Sequence, residues 1–181
     1  MRYVALLRGI NVGGRHLIPM VDLRAAVAAL GAADVTTYIQ GGNVLFDAGD
    51  DDPATWTERL EAALSARFEY AASVVLRSHD ELRAVVAGAP PDFGREPDRF
   101  REDVLFLKAP LDAASAIAQV PTRAGVDRVV AGDGVLYASR LAERASQSRL
   151  PRIVGLPIYQ HMTIRNWRTT TTLLRLLDER T

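Results

Sequence analysis

Three short strings hold the side chains whose type and spacing could do chemistry. Arg8, Asn11, Gly13 and Gly14 follow directly on an apolar run, Gln40 and Asn43 flank Gly41-Gly42, and Thr163, Arg165, Asn166 and Trp167 sit together near the C-terminus. An arginine offers a planar fork that suits phosphate or carboxylate, and glycines let backbone N–H groups turn toward a ligand. Asparagine and glutamine add neutral donors and acceptors, so the set suits a polar or anionic small molecule better than an apolar one. The third string is placed at the start of a last helix, where the dipole and unpaired N–H groups favour an anion.

Most of these residues also have a structural alternative. The glycines can simply make tight turns, Asn11 and Asn43 can bond to nearby backbone, and Arg8 can pair with a structural carboxylate. Thr163 can be only an N-cap and Trp167 only a core anchor. The spacing of Gly9, Gly13 and Gly14 is neither the dinucleotide fingerprint nor a P-loop, because no Gly-Lys-Ser/Thr follows.

Composition removes several chemistries. The chain has no cysteine, which excludes disulfides, thiol nucleophiles and thiolate metal sites. His16, His79 and His161 are scattered without a metal-ligand spacing, and the run Asp50-Asp51-Asp52 before Pro53 suits solvation and helix capping, so no metal site is expected. No general base lies inside the three strings, only His16 and His161 nearby, so the catalytic residues and any cofactor stay open. The 22 basic and 22 acidic side chains cancel, which provides no global field for a polyanion and argues against nucleic acid. The apolar run at the N-terminus is too short for a signal peptide and no segment approaches a membrane span, so the reading is a cytoplasmic protein, a monomer or weak homodimer.

The elements that must position the strings follow from periodicity. Tyr3 to Leu7 reads as a buried strand, and Met20, Leu23, Val27 and Leu30 mark a helix stopped by Gly31. Val35 to Ile39 and Asn43 to Asp47 read as a hairpin across Gly41-Gly42. Asp52-Pro53 supplies an N-cap and a first-turn proline for a helix with Trp56, Leu60, Leu64 and Phe68 inward, and Ser73 to Leu76 is a further strand. That order is βαββαβ, the split βαβ of ferredoxin-like folds. In it the first loop and the hairpin tip share one end of the sheet.

Ser78 and Glu81 have capping-box spacing ahead of a short helix, and 88–102 lacks periodicity. The order then repeats: strand Val104 to Leu107, helix Asp112 to Val120, strand Val126 to Ala131, turn Gly132-Asp133-Gly134 and strand Val135 to Ala138. The segment from Arg140 to Leu156 is charged and broken by Pro151, Ile158 to Thr163 can form a short strand, and a helix from about Arg165 turns Leu173, Leu174 and Leu177 inward. The expected architecture is α+β: two tandem ferredoxin-like halves with antiparallel sheets, the second less regular and ending in a C-terminal helix. The expected division is 1–88, a linker 89–102 and 103–181, packed as one compact unit.

The strings Ala5-Leu6-Leu7-Arg8-Gly9-Ile10-Asn11-Val12-Gly13-Gly14, Tyr38-Ile39-Gln40-Gly41-Gly42-Asn43-Val44 and Thr163-Ile164-Arg165-Asn166-Trp167-Arg168-Thr169, in this order, resemble a bacterial family catalogued as domain of unknown function 1697. The resemblance spans nearly the whole chain. It implies an α+β fold of two subdomains, points to the same polar positions and assigns no activity. The family pattern has serine where this chain has Gly41, so no hydroxyl there can be an indispensable nucleophile, and Ile164 stands for the second threonine of the third string. Two readings remain: a site for a polar or anionic small molecule, with or without turnover, and a non-catalytic regulatory or interaction module. An RNA-binding module built on Tyr3 and Phe46 is weaker, given the charge balance.

Overall fold

A computed structural model describes residues 1–49 and 52–180. Asp50 and Asp51 of the carboxylate run lie outside the described residues. The chain divides into two compact units, Met1–Leu82 with Leu173–Thr181, and Arg83–Thr172.

The first unit carries β1 (Arg2–Leu7), α1 (Met20–Ala28), β2 (Ala33–Tyr38), β3 (Asn43–Asp47), α2 (Pro53–Phe68) and β4 (Val74–Ser78). Its sheet runs β2-β3-β1-β4, with every pairing antiparallel. That is the ferredoxin-like order. Alternation along β1 turns Tyr3, Ala5 and Leu7 into one core with Leu23 and Val27 of α1 and Trp56, Leu60 and Leu64 of α2. Phe46 joins them, its ring centroid 5.8 Å from Tyr3 and 5.3 Å from Trp56. Local signals set the helix ends: Asp52 accepts from the Thr55 N–H at 3.2 Å ahead of Pro53. Gly31 takes φ +92° just past α1, the left-handed stop its position implies.

A third helix, α3 (His79–Ala87), begins in a capping box. The Ser78 N–H donates to Glu81 Oε2 at 2.7 Å and the Glu81 N–H to Ser78 Oγ at 3.2 Å.

The second unit repeats the plan with β5 (Phe100–Leu107), α4 (Ala113–Ile117), β6 (Asp127–Ala131), β7 (Val135–Leu141), β8 (Met162–Asn166) and α5 (Trp167–Asp178), whose last turns belong to the first unit. Its sheet order β6-β7-β5-β8 reproduces the first, again antiparallel throughout. The two sheets are thus tandem ferredoxin-like halves in an α+β chain. Where the first half crosses from its third to its fourth strand on α2, the second crosses on three 3₁₀ segments, Ala142–Gln147, Leu150–Gly155 and Pro157–His161. Pro151 and Pro157 start two of these, each without an N–H to continue a longer α-helix. The final strand lies later than the periodicity places it, and α5 starts at Trp167, because Arg165 and Asn166 extend β8 opposite Val104 and Asp103. Leu173 and Leu177 are buried while Leu174 is half-buried. Among the described residues no helix is long and apolar enough to cross a membrane.

Candidate functional site

In the first unit the chain leaves β1 at Arg8, half-buried, whose N–H donates to the Ser73 carbonyl at 2.9 Å. The following loop is folded around one side chain. Asn11 Nδ2 donates to the Ile18 and Gln40 carbonyls at 3.2 and 2.9 Å, while Asn11 Oδ1 accepts from the Ile18 N–H at 2.8 Å. The loop and the hairpin tip therefore stand side by side, joined also by the Leu7 N–H to the Gly42 carbonyl at 2.8 Å. Gly13 and Gly14, at φ +59° and +73°, form a two-residue turn closed by the Arg15 N–H on Val12. Gly42 is the tip glycine that the fold demands: its φ is +74°, and a Cβ there would meet Leu7 and Ile10 at 3.0 Å. Asn43 is fully buried and its Nδ2 donates to the Tyr38 carbonyl at 3.0 Å. The amide of Asn11 is thus spent on backbone, as is the Nδ2 bond of Asn43, whereas Gln40 projects an exposed side chain from the tip.

In the second unit the third string is divided between β8 and α5. Thr163 is buried on β8 and its Oγ1 accepts from Arg165 Nη1 at 2.8 Å; the same nitrogen reaches the Ile164 carbonyl at 2.8 Å. Burial pushes the Arg165 guanidinium down to about 10, against the opposing pull of Tyr159, so it stays charged at neutral pH. Asn166 is the N-cap of α5, its Oδ1 accepting from the Thr169 N–H at 2.7 Å, a role the sequence offered to Thr163. Trp167 packs edge-on against Phe93, with ring centroids 5.0 Å apart and planes at 86°.

Asn166 and Trp167 line an open groove of about 420 Å³ together with Arg168, Thr171, Gly94 and Glu102. Glu102 lies on β5, its Oε2 accepting from the Gly94 N–H at 2.6 Å. Desolvation is the main influence on its carboxyl and lifts its pKa; the Gly94 bond and Arg128 oppose, and Asp92 and Glu96 add to the rise. Gly94 sits at φ +80°, and a Cβ there would run into the Trp167 indole. Glu102 and Gly94 are groove residues outside the three strings, while Arg168 lies inside the third string without having been singled out. Alternation could have found Glu102: Phe100, Val104 and Phe106 share its side of β5, and a carboxylate among them stands out.

A family model described as "Protein of unknown function (DUF1697)" matches residues 1–137. The chain belongs to that family. The matched stretch contains the DUF1697 strings around Arg8 and Gln40 and ends at Tyr137, before Thr163 to Trp167. A solved structure covers the remainder: the chain is similar to "conserved bacterial protein SP0830 from Streptococcus pneumoniae", at 29% identity and a TM-score of 0.83, over 97% of this chain and 98% of that one. No curated protein matches.

Proposed function

We propose that this DUF1697 protein binds a small polar or anionic molecule, seated in the groove at the start of α5. One observation carries this reading: Asn166 and Trp167, singled out in the sequence, share a groove with Arg168 and a carboxyl group of raised pKa, Glu102. The first turn of α5 and the Arg168 guanidinium suit the anionic part, Trp167 provides a flat wall, and Glu102 accepts from a hydroxyl or amine of the ligand. A perturbed carboxyl in a cleft is also what proton transfer needs, so turnover of any ligand found is the next assay. RNA is disfavoured because Tyr3 and Phe46, on the two central strands, are buried beneath α1 and α2 and offer no stacking surface.

The test is a thermal-shift screen of pyrophosphate, nucleotides, sugar phosphates, di- and tricarboxylates and a short RNA, on wild type, Arg168→Ala, Glu102→Gln and Arg8→Ala. A ligand at a hundred times its Kd adds about 2.7 kcal/mol. At roughly 2–4 °C per kcal/mol for a chain of this size, the melting point rises by about 5–10 °C. A phosphorylated or carboxylated compound that shifts wild type and loses its effect in Arg168→Ala supports the groove. If no compound shifts wild type, or the shift survives both Arg168→Ala and Glu102→Gln, the groove is not the site. One observation favours an interaction module instead: Val12, Leu17 and Ile39 are 65%, 72% and 54% exposed on the loop and tip. That reading predicts concentration-dependent self-association, abolished by Leu17→Ser and measured by sedimentation velocity.

A further inference from the structure

A second cavity in the second unit, distinct from the groove at α5, is a slot of about 270 Å³ between the sheet and the 3₁₀ segment Leu150–Gly155. Its walls are aliphatic, with Leu105, Ala138, Ile153 and Ile164 contributed by β5, β7, β8 and the 3₁₀ segment. Val154 stands 59% exposed among the lining residues. Two charged side chains line the same slot, Asp103 and Arg140. Register explains why they share it. Asp103 is paired with Ala138, and Arg140 lies two residues further along β7, so the two are diagonal neighbours on one sheet face, their Cα atoms on the order of 7–8 Å apart.

Neither charge is matched by a bond. Among the described residues Arg140 makes no side-chain hydrogen bond, and its Nε is buried without an acceptor. The Nε is closed to solvent, so a ligand's acceptor would meet the terminal guanidinium nitrogens, which carry no hydrogen bond either. Asp103 faces the same cavity and forms no ion pair within bonding distance of Arg140. Burial is the main influence on its carboxyl, raising its pKa against the opposing fields of Arg140 and Arg101.

The chemistry selects the ligand class. A simple carboxylate would satisfy Arg140 but place its charge beside Asp103; a simple amine would do the reverse. A molecule carrying both charges on adjacent atoms satisfies both, and an aliphatic remainder fills the rest, since no aromatic ring lines the slot. The volume lies just below the range typical of drug-sized ligands, which suits something smaller. We propose that this slot binds an aliphatic α-amino acid, its carboxylate on Arg140, its ammonium on Asp103 and its side chain against Leu105, Ala138, Ile153 and Ile164.

The experiment is isothermal titration of the full chain with L-leucine, L-isoleucine and L-valine, beside 4-methylpentanoate, isoamylamine and L-glutamate. The expected result is a Kd below ~1 mM for at least one of the first three, with the carboxylate-only, amine-only and acidic compounds at least about tenfold weaker, a difference of ~1.4 kcal/mol. Arg140→Gln and Asp103→Asn should each weaken that ligand by about tenfold or more, and Val154→Asp, a surface change that leaves the core intact, should weaken it as well. Arg168→Ala, which tests the α5 groove, should leave it unchanged, so the two sites succeed or fail separately. The ligand comparison on wild type stands even if a charge variant fails to fold, which far-UV circular dichroism checks. No heat with any of the three at ~10 mM overturns the proposal. So does equal binding of 4-methylpentanoate or isoamylamine, or an affinity that neither Arg140→Gln, Asp103→Asn nor Val154→Asp alters.

Discussion

Replacing Gly94 by alanine adds one methyl group and tests the groove wall directly. At φ +80° an L-residue pays about 1–2 kcal/mol for the left-handed conformation. The new Cβ also overlaps the Trp167 indole, and forcing an extra carbon into an occupied space costs typically about 1–3 kcal/mol. Because Trp167 is only half-buried and can swing outward, the lower part of the sum applies, about 2–3 kcal/mol. For a chain of this length that lowers the melting point by roughly 5–10 °C. Urea denaturation followed by circular dichroism gives the free energy, and indole fluorescence reports Trp167 becoming more solvated, with Trp56 buried in the first unit as a constant background. A double-mutant cycle then separates the two causes. In a Trp167→Ala background the collision is gone, and Gly94→Ala should cost only the backbone strain, a coupling of about 1 kcal/mol or more. The Gly94 amide survives the substitution, so the bond to Glu102 is not itself deleted. A cost within about 0.5 kcal/mol of zero, or an equal cost in both backgrounds, would refute the steric argument.

Three further outcomes are specific. Asn11→Ala deletes three hydrogen bonds and should destabilise the first unit by about 2–3 kcal/mol, at about 1 kcal/mol for each bond, with faster amide exchange at Ile18 and easier tryptic cleavage at Arg15; unchanged exchange would mean the loop holds without it. Glu102 binds its proton more tightly folded than unfolded, so its contribution is full at low pH and is lost as pH rises through the raised folded pKa. Gln keeps the acceptor for Gly94 and cannot ionise, so the stability of Glu102→Gln relative to wild type should climb from about pH 4 toward 7, measured by urea midpoints across pH; a flat difference would contradict the burial effect. The Tyr70 hydroxyl is buried without a partner and burial, helped by Glu61, raises its pKa to about 12, so one tyrosine should ionise near that value in an alkaline absorbance titration, and Tyr70→Phe should remove that step alone with little loss of stability.

Much of the fold was legible because its signals are local. The Asp52-Pro53 start, the Ser78/Glu81 capping box, Gly31 and the Gly132-Asp133-Gly134 turn each depend on contacts within a few residues, and alternation on β1 and β3 follows from the pleat. The adjacency of the first loop and the hairpin tip followed from strand direction, since the α1 crossover runs β2 parallel to β1, rather than from any single residue. The connection 142–161 was not legible. Its 3₁₀ segments lack strong periodicity of their own, and the strand Met162–Asn166 exists because β5 offers it an edge. The start of α5 moved for the same reason, since Arg165 and Asn166 could continue either a helix or a ladder and the ladder won.

The sequence by itself determined the class, the element order in both halves and the three polar strings, since helix ends, turns and strand alternation are decided by neighbours along the chain. Only the tertiary structure decided what those side chains touch. Residue type does not reveal that Asn11 spends its amide on the loop backbone, that Gly94 lies against Trp167, or that Arg140 ends in an aliphatic slot near Asp103 without a bond. Those outcomes depend on which strand is paired with which and in what register, and pairing between residues far apart in the chain is settled by the packing of the whole unit rather than by any local run of residues.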